Sequence, residues 1–232
     1  DTGMHRLGFP PSQLADVKQR LGEAQIQNTT IMSHLASAES PESDITQGQI
    51  RRWNSHCADW SDSASLHNSA ATRHGITGRS HWVRVGYALY GGQIENDPLG
   101  KELLPAMQLS SRVLAVRPVK QGEAVGYGGR WVAEKDSKIA TIPVGYGDGY
   151  PWAAADGTPV VVSGQVAPLA GRGSMDMITV DVTDIDTVEP GAPVVLWGDT
   201  PSVDEVAAHS GTIGYELMTR LTGRVPKHYV SS

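Results

Sequence analysis

The chain has 232 residues, 39% of them hydrophobic and 19% charged, which is enough for one large domain or two smaller ones with a buried core. Its net charge of −6 argues against a surface that binds nucleic acid or anionic membranes. It contains no apolar stretch of about 18 residues that would predict a membrane span, and no visible signal peptide.

The first part of the chain, to about residue 95, alternates helical and strand patterns. Ser12 is the predicted N-cap of an amphipathic helix. A strand is predicted over residues 29–35, a helix over 45–60 and a second strand over 81–92. Strands that alternate with helices indicate parallel βαβ units, of doubly wound or barrel type.

The pattern changes from about Leu103, where β-rich segments are spaced by Gly, Pro and Asp turns, as in an all-β module. Two short helices, each closed by glycine, are predicted in "SVDEVAAHSG" and "GYELMTRLTG". We place the boundary near "IENDPLGKEL", which gives an α/β domain over residues 1–97 and a β-rich domain over 98–232.

The single cysteine, Cys57, cannot form an intrachain disulfide, which favours a cytoplasmic setting. It lies in the apolar stripe of a predicted helix, so we interpret it as a buried structural thiol. The histidines lack the spacing of a zinc site, and no metal is predicted. The chain starts with Asp1 and a glycine-bearing loop, so we expect it to be part of a longer protein.

The stretch "IPVGYGDGY" places Tyr146 between two glycines at the end of a predicted strand. One interpretation is a sharp exit turn whose tyrosines cover a core. The other is a phenol presented to a site, where its proton can be taken and returned. Neither a Walker P-loop nor a dinucleotide fingerprint is present.

Two other segments have a structural and a functional interpretation. The segment "HNSAA" is either a simple helix cap or a phosphate cradle at a helix N-terminus, with Ser69 as a side-chain donor. Arg84 lies near the end of an apolar strand, where a cation needs a partner. The backbone N–H groups of Gly86 and Tyr87 follow it and could meet an anion, because glycine permits close approach.

Two more motifs are ambiguous on their own. His34 lies where a strand ends, as a core histidine or as part of a site. In "GRGSMD", Arg172 and Asp176 flank a tight loop, which is either a salt-bridged turn or part of a site.

The order of these motifs resembles the alanine racemase family of pyridoxal-phosphate enzymes. The matching segments, in family order, are "DTGMHRLG", "SHLASAE", "NSAAT", "VRVGYALYG", "VGYGDGY", "GRGSMD", "GTIGYEL" and "RVP". They span essentially the whole chain. The resemblance implies the second half of a TIM-type barrel that binds pyridoxal 5'-phosphate, followed by a β-rich C-terminal domain, in a homodimer with shared active sites.

The resemblance also implies roles for residues of this chain. Tyr146 matches the catalytic tyrosine base. The positions that match cofactor-binding residues are His34, Ser69, Arg84, Gly86, Tyr87 and Tyr215. Those that match substrate-binding residues are Met4, Arg6 and Met175, and those at the entrance to the substrate site are Glu39, Arg172 and Asp176. Glu39 departs from the family pattern, which often has Asp.

The implied reaction interconverts L-alanine and D-alanine, a small-molecule substrate pair, and supplies D-alanine to the cell wall. It uses two bases, a tyrosine and a lysine that also forms a Schiff base with the cofactor. None of the chain's lysines lies in a comparable context; they are Lys18, Lys101, Lys120, Lys135, Lys138 and Lys227. We therefore expect this chain to lack the N-terminal half of the barrel and to be inactive alone.

Three alternatives stay open. A broad-specificity amino-acid racemase or a serine racemase has the same architecture. A barrel-type pyridoxal-phosphate decarboxylase is disfavoured by "VGYGDGY" and "GRGSMD". An inactive fragment that serves as a dimerisation or binding module belongs to another class.

Overall fold

The computed structural model describes residues 1–57, 60, 63–99 and 103–230. The chain forms two compact units, Asp1–Leu104 and Pro105–Ser232. Within the described ranges, every helix is too short or too polar to cross a membrane.

The first unit contains one βαβ arrangement, as the alternating pattern predicts. Its elements are a 3-10 helix at Pro11–Gln13, α1 (Leu14–Glu23), β1 (Thr30–Met32), α2 (Asp44–Cys57), β2 (Ser63–Ser65), α3 (Ser69–Arg73) and a 3-10 helix at Tyr87–Tyr90. Strands β1 and β2 pair in parallel, with Ile31 opposite Ala64. Parallel strands need a long crossover connection, and α2 lies within it.

The core of the first unit lies against α2. Trp53 is 1% exposed and its Nε1 donates to the carbonyl oxygen of Arg79 at 2.9 Å. Cys57 is also buried, as predicted, and burial raises the pKa of its thiol to about 11. A thiol with that pKa stays protonated at neutral pH and is a weak nucleophile.

Two predictions about local structure in the first unit are wrong. Ser12 does not cap α1, because it lies inside the 3-10 helix that begins at Pro11; proline is favoured at a first helical position. Residues 81–86 do not form a strand, since the amides of His81 and Trp82 both donate to the carbonyl of Ala64. In a regular β-ladder, two successive amides never share one carbonyl acceptor, so this pattern is not that of a strand.

The second unit is built from antiparallel strands. They are β3 (Leu109–Arg112), β4 (Ala115–Val119), β5 (Ala124–Val125), β6 (Trp131–Val132), β7 (Ser137–Ile142), β8 (Pro159–Val162), β9 (Gln165–Pro168), β10 (Ile178–Asp181) and β11 (Pro193–Trp197). They form a four-stranded sheet in the order β3-β11-β8-β9, a three-stranded sheet in the order β10-β7-β4 and the ribbon β5-β6. The predicted β-rich module is confirmed.

Most of the core of this unit is one apolar cluster, with a smaller one formed by Val125, Ile139 and Ala170. The fully buried members of the larger cluster include Val160, Val180 and Leu196, which come from three different strands. Burial of a Val or Leu side chain contributes about 1.5–3 kcal/mol, so this cluster is the main source of the unit's stability.

Two helices follow the last strand, as predicted: α4 (Val203–His209) and α5 (Gly214–Arg220). Gly211, at φ 65°, closes the end of α4. The predicted glycine closure of α5 is wrong, because its C-cap, Leu221, is extended. The chain turns away there, and the amide of Thr222 donates to the carbonyl of Asp148 at 3.1 Å.

Candidate active site

In the first unit, Arg84 is fixed by three contacts. Its Nη1 donates to Ser65 Oγ at 2.7 Å, and its Nη2 lies 2.9 Å from the carbonyl oxygen of Ser33 and 3.1 Å from His34 Nδ1. Ser65 is the last residue of β2 and Ser33 follows β1 directly, so the ends of both strands hold the guanidinium. The cation at this position therefore has three partners: the hydroxyl oxygen of Ser65, the carbonyl oxygen of Ser33 and the imidazole of His34.

His34 lies in an electropositive environment. Burial lowers its pKa below 6.5, and the charges of Arg84 and Arg6 lower it further, while Glu39 opposes them. A guanidinium only donates hydrogen bonds, so His34 Nδ1 must accept from Arg84 and the imidazole carries its proton on Nε2. The structure thus brings His34, Arg84, Arg6 and Glu39 within electrostatic reach of one another.

Ser69 and the start of the second 3-10 helix form a small polar cradle. Ser69 is 4% exposed, and its Oγ accepts from the amides of Gly86 at 3.2 Å and Ala88 at 3.4 Å. A Cβ added at Gly86 would meet open space. Two converging N–H donors, a hydroxyl and an unobstructed glycine fit the oxygens of a phosphate group.

The helix that begins at Ser69 is capped by its neighbour. Asn68 is the N-cap of α3, and its Oδ1 accepts from the amide of Ala71 at 2.9 Å. The helix cap expected as the structural alternative for this segment is therefore present, but Asn68 supplies it and the hydroxyl of Ser69 takes no part in it.

Met4 and Arg6 lie in a tight loop at the start of the chain. Asp1 Oδ1 accepts from the amides of Gly3, Met4 and His5 at 2.9–3.0 Å. The carboxylate of Asp1 thus fixes the backbone of the loop. Arg6, which follows these amides, is exposed.

In the second unit, two loops pack against each other. We call residues 144–150 the tyrosine loop and residues 171–177 the methionine loop. The amide of Tyr146 donates to the carbonyl of Ser174 at 3.1 Å, and that of Gly147 donates to the carbonyl of Met175 at 2.9 Å. A Cβ at Gly145 would overlap both of those carbonyl oxygens, so a glycine is required there.

The close contact explains why Tyr146 lies between glycines. The bare backbone on each side lets the two loops approach, and the Tyr146 side chain is left 41% exposed.

Arg172 stacks over the ring of Trp152, with its Cζ 4.5 Å from the ring centroid, which is a cation–π contact. The structure therefore brings Tyr146, Met175, Arg172 and Asp176 into one pair of loops.

Tyr215 lies in the first turn of α5 and is 41% exposed. Its carbonyl accepts from Thr219 Oγ1 at 2.9 Å, one turn later in the helix.

Sequence reasoning missed a second exposed phenol, Tyr127. It begins a 3-10 helix between Gly126 and Gly128, which have φ of 77° and 73°, and its side chain is 71% exposed. A Cβ at Gly126 would lie 3.2 Å from the amide nitrogen of Arg172, so the backbone that leads into Tyr127 lies beside the methionine loop. The signal was present, because "VGYG" occurs twice, at residues 125–128 and 144–147.

Comparison with known proteins gives two matches to family models that together cover most of the chain. "Alanine racemase, N-terminal domain" matches residues 1–94, and "Alanine racemase, C-terminal domain" matches residues 106–229.

Individual relatives agree with these matches. The chain is 46% identical over 228 residues to an alanine racemase of Alteromonas mediterranea, covering 98% of this chain and 64% of that protein. It is 44% identical to an alanine racemase of Stutzerimonas stutzeri, covering 99% of this chain and 65% of that protein. The chain thus spans a little under two thirds of the length of these relatives.

Solved structures give the same result. The biosynthetic alanine racemase of Pseudomonas aeruginosa matches with a TM-score of 0.93 and 42% identity, over 100% of this chain and 65% of that one. The alanine racemase of Bartonella henselae, with covalently bound pyridoxal phosphate, matches with a TM-score of 0.86 and 31% identity, over 99% of this chain and 65% of that one. The predicted fold class is confirmed.

Proposed function

Because the chain belongs to the alanine racemase family, we propose that the protein it forms part of interconverts L-alanine and D-alanine with pyridoxal 5'-phosphate. The observation that carries the proposal is the fixed Arg84 guanidinium, held by Ser65, Ser33 and His34 beside the cradle at Ser69. These are the positions that the family pattern assigns to the cofactor ring and its phosphate.

We propose that the phosphate binds at Ser69 and at the amides of Gly86, Tyr87 and Ala88. Hydrogen bonds from N–H and O–H donors to an anion are charge-assisted and strong. In the complete protein, Tyr215 of the β-rich unit contributes its hydroxyl to the same phosphate.

Arg84 faces the ring nitrogen in this proposal. An arginine in a protein stays protonated, so it donates a hydrogen bond and leaves the nitrogen without a proton. When bound, pyridoxal phosphate stabilises the negative charge that remains on the substrate α-carbon after proton removal. An unprotonated ring withdraws less charge, which limits side reactions such as transamination.

A phenol of the β-rich unit is the proposed base of this chain. The pKa of a free phenol is about 10, so the phenolate needs nearby positive charge to form at neutral pH. Arg84 supplies that charge, with His34 as the group next to it. The phenol takes the α-proton on one face of the substrate, and a lysine supplied outside this chain serves the other face.

Two tyrosines can fill this role. Sequence resemblance assigns it to Tyr146, and the structure adds Tyr127, whose side chain is more exposed, 71% against 41%. A base that acts on a substrate held by another domain must project from its own unit. On that criterion Tyr127 is the stronger candidate, and Tyr146 then lines the approach to the site with Arg172 and Asp176.

The substrate carboxylate is proposed to meet Arg6, Met4 and Met175. Arg6 is exposed, and its charge acts on His34, the residue that Arg84 contacts. An arginine suits a carboxylate because its donors match both oxygens. Glu39 adds a negative charge near the entrance, which favours a substrate that carries an ammonium group.

We propose that the lysine that links the cofactor comes from outside these 232 residues. Two lysines of this chain are engaged at the surface: Lys120 Nζ lies 2.6 Å from Asp136 Oδ2, and Lys135 Nζ lies 2.8 Å from Asp184 Oδ1. The isolated chain should therefore be inactive. The proposed assembly is a cytoplasmic homodimer in which the first unit of one subunit faces the β-rich unit of its partner.

The test is to incubate the complete protein with pyridoxal phosphate and each L-amino acid separately and to measure the D-enantiomer. We expect alanine to be racemised with the highest kcat/KM. Equal turnover of several amino acids would instead support a broad-specificity racemase. A protein with no D-product, although the cofactor is bound, would contradict the proposal.

A further inference from the structure

Arg224, near the end of the chain, joins the two loops of the second unit. Its Nη2 lies 2.5 Å from Asp176 Oδ1 in the methionine loop, and its Nε lies 3.3 Å from Asp148 Oδ1 in the tyrosine loop. One guanidinium thus bridges two carboxylates on loops that are far apart in sequence. The fork of an arginine presents several donors in fixed directions, which a lysine cannot reproduce.

The tyrosine loop is shaped to receive this side chain. A Cβ at Gly147 would overlap Arg224 Nη1, so the guanidinium occupies space from which a side chain at this position would displace it. Thr222 Oγ1 donates to the carbonyl of Gly147 at 3.0 Å and accepts from the amide of Arg224 at 3.3 Å. The backbone that carries Arg224 is therefore anchored to the loop that its side chain contacts.

Asp148 also stabilises the turn of the tyrosine loop. Its Oδ2 accepts from the amide of Gly145 at 2.9 Å, which closes the turn that carries Tyr146. Asp148 is only 14% exposed, so its carboxylate needs a cation, and Arg224 is the one that it contacts. Loss of Arg224 would leave the carboxylates of Asp148 and Asp176 close together without the cation that they share, and like charges repel.

We propose that Arg224 is a positioning residue for the active site, because it holds the tyrosine loop in register with the methionine loop. The site role of these loops rests on the proposed function; their mutual register does not. The Arg224 side chain is 49% exposed and solvent screens its charge, so the contact sets local geometry more than global stability.

The first experiment is independent of racemase activity. Hydrogen-exchange mass spectrometry on the complete protein follows peptides that cover residues 144–150. We expect Arg224→Gln to accelerate exchange there about tenfold, because the amides of Tyr146 and Gly147 lose their fixed acceptors. Arg224→Lys should give a smaller increase, since one cation remains. The matched control is Arg20→Gln, which removes an exposed ion pair with Asp16 at 3.0 Å in α1 and should change nothing there.

The second experiment measures racemisation by the same variants. A shift of about 1 Å at a reacting group costs about 100-fold, so we expect Arg224→Gln to lower kcat/KM about 10- to 100-fold, with little change in Tm. Adding Asp176→Asn to Arg224→Gln removes the repulsion and should restore part of the loss. If Arg224→Gln fails to fold, Asp176→Asn alone tests the ion pair between Arg224 and Asp176 by hydrogen exchange.

The outcomes separate the two proposals. Faster exchange in Arg224→Gln but not in the control, in a complete protein that does not racemise amino acids, supports the role of Arg224 in the register of the two loops and contradicts the proposed function. Exchange equal to that of the unmodified protein, or an equal effect of Arg20→Gln, overturns the positioning role whatever the activity.

Discussion

Arg84 Nη2 lies 3.1 Å from His34 Nδ1, and this contact fixes the state of the histidine. Because the guanidinium has no acceptor, the imidazole accepts at Nδ1 and is left with one N–H, at Nε2. A protonated His34 would place an N–H against a cation. His34 is thus held neutral, and its Nε2–H is the donor that it offers to the site.

The pKa of His34 should lie below 6.5 when measured by NMR titration of its ring protons. Burial is the largest cause, followed by the charges of Arg84 and Arg6. Arg84→Met removes one positive neighbour and should raise the pKa, without restoring 6.5, because the burial remains. An unchanged value in Arg84→Met would show that this contact does not control the histidine.

The same shift has a consequence for stability. Unfolding returns His34 to a pKa near 6.5, so the unfolded chain binds more protons just below that value than the folded chain does. The contribution to the free energy of unfolding is full above pH 6.5 and declines as the pH falls toward the folded pKa. His34→Gln should flatten this decline in urea titrations between pH 7 and 5.

Substitution of the two phenols one at a time assigns the base. Loss of a general base lowers kcat by about 100- to 10,000-fold, so Tyr127→Phe should have an effect of that size if Tyr127 is the base. Tyr146→Phe should then change KM more than kcat. The reverse result would return the role to Tyr146. Comparable full activity in both variants would contradict a phenol base from this unit.

Mixed dimers test whether the phenol acts across the subunit interface. One mutant lacks the base tyrosine identified above, and the other lacks the lysine that links the cofactor. Each homodimer should be nearly inactive. In a two-fold dimer with shared sites, a mixed pair contains one site with both bases and one with neither. Co-expression should therefore restore a fraction of activity, and no recovery in mixed dimers verified by mass would refute catalysis in trans.

Gly145→Ala tests the packing of the tyrosine loop. The new Cβ would overlap the carbonyl oxygens of Ser174 and Met175, which are backbone atoms and cannot rotate away. Overpacking of this kind costs about 1–3 kcal/mol in the free energy of unfolding. The control is Gly48→Ala in the middle of α2, whose nearest contact is an ordinary one at 3.8 Å. It should stabilise the chain by about 0.5–1 kcal/mol, because alanine favours a helix.

Local patterns predicted the β-rich unit, both of its helices and the α/β alternation, because periodicity and turn residues are properties of neighbouring positions. The contact between His34 and Arg84 spans 50 residues and depends on how β1 and β2 pair. Sequence order suggested it only through family resemblance. The bridge from Arg224 to two loops gave no local signal, since its partners lie 48 and 76 positions away.

The sequence also misled at specific places. Residues 81–86 have the composition of a strand, but their amides follow β2 without a regular ladder. The tyrosine pattern "VGYG" occurs twice, and local sequence does not indicate which copy presents its phenol. Exposure distinguishes its two copies, and exposure depends on tertiary packing, which neighbouring residues do not determine.

The proposed function is tested most directly by incubating the complete protein and pyridoxal phosphate with L-alanine in deuterium oxide. Two-base racemisation removes the α-proton on one face and returns a solvent-derived one on the other. We expect D-alanine that carries deuterium at its α-carbon, detected by mass spectrometry after chiral separation. Release of carbon dioxide with ethylamine, or alanine recovered without D-enantiomer or deuterium, would contradict the account.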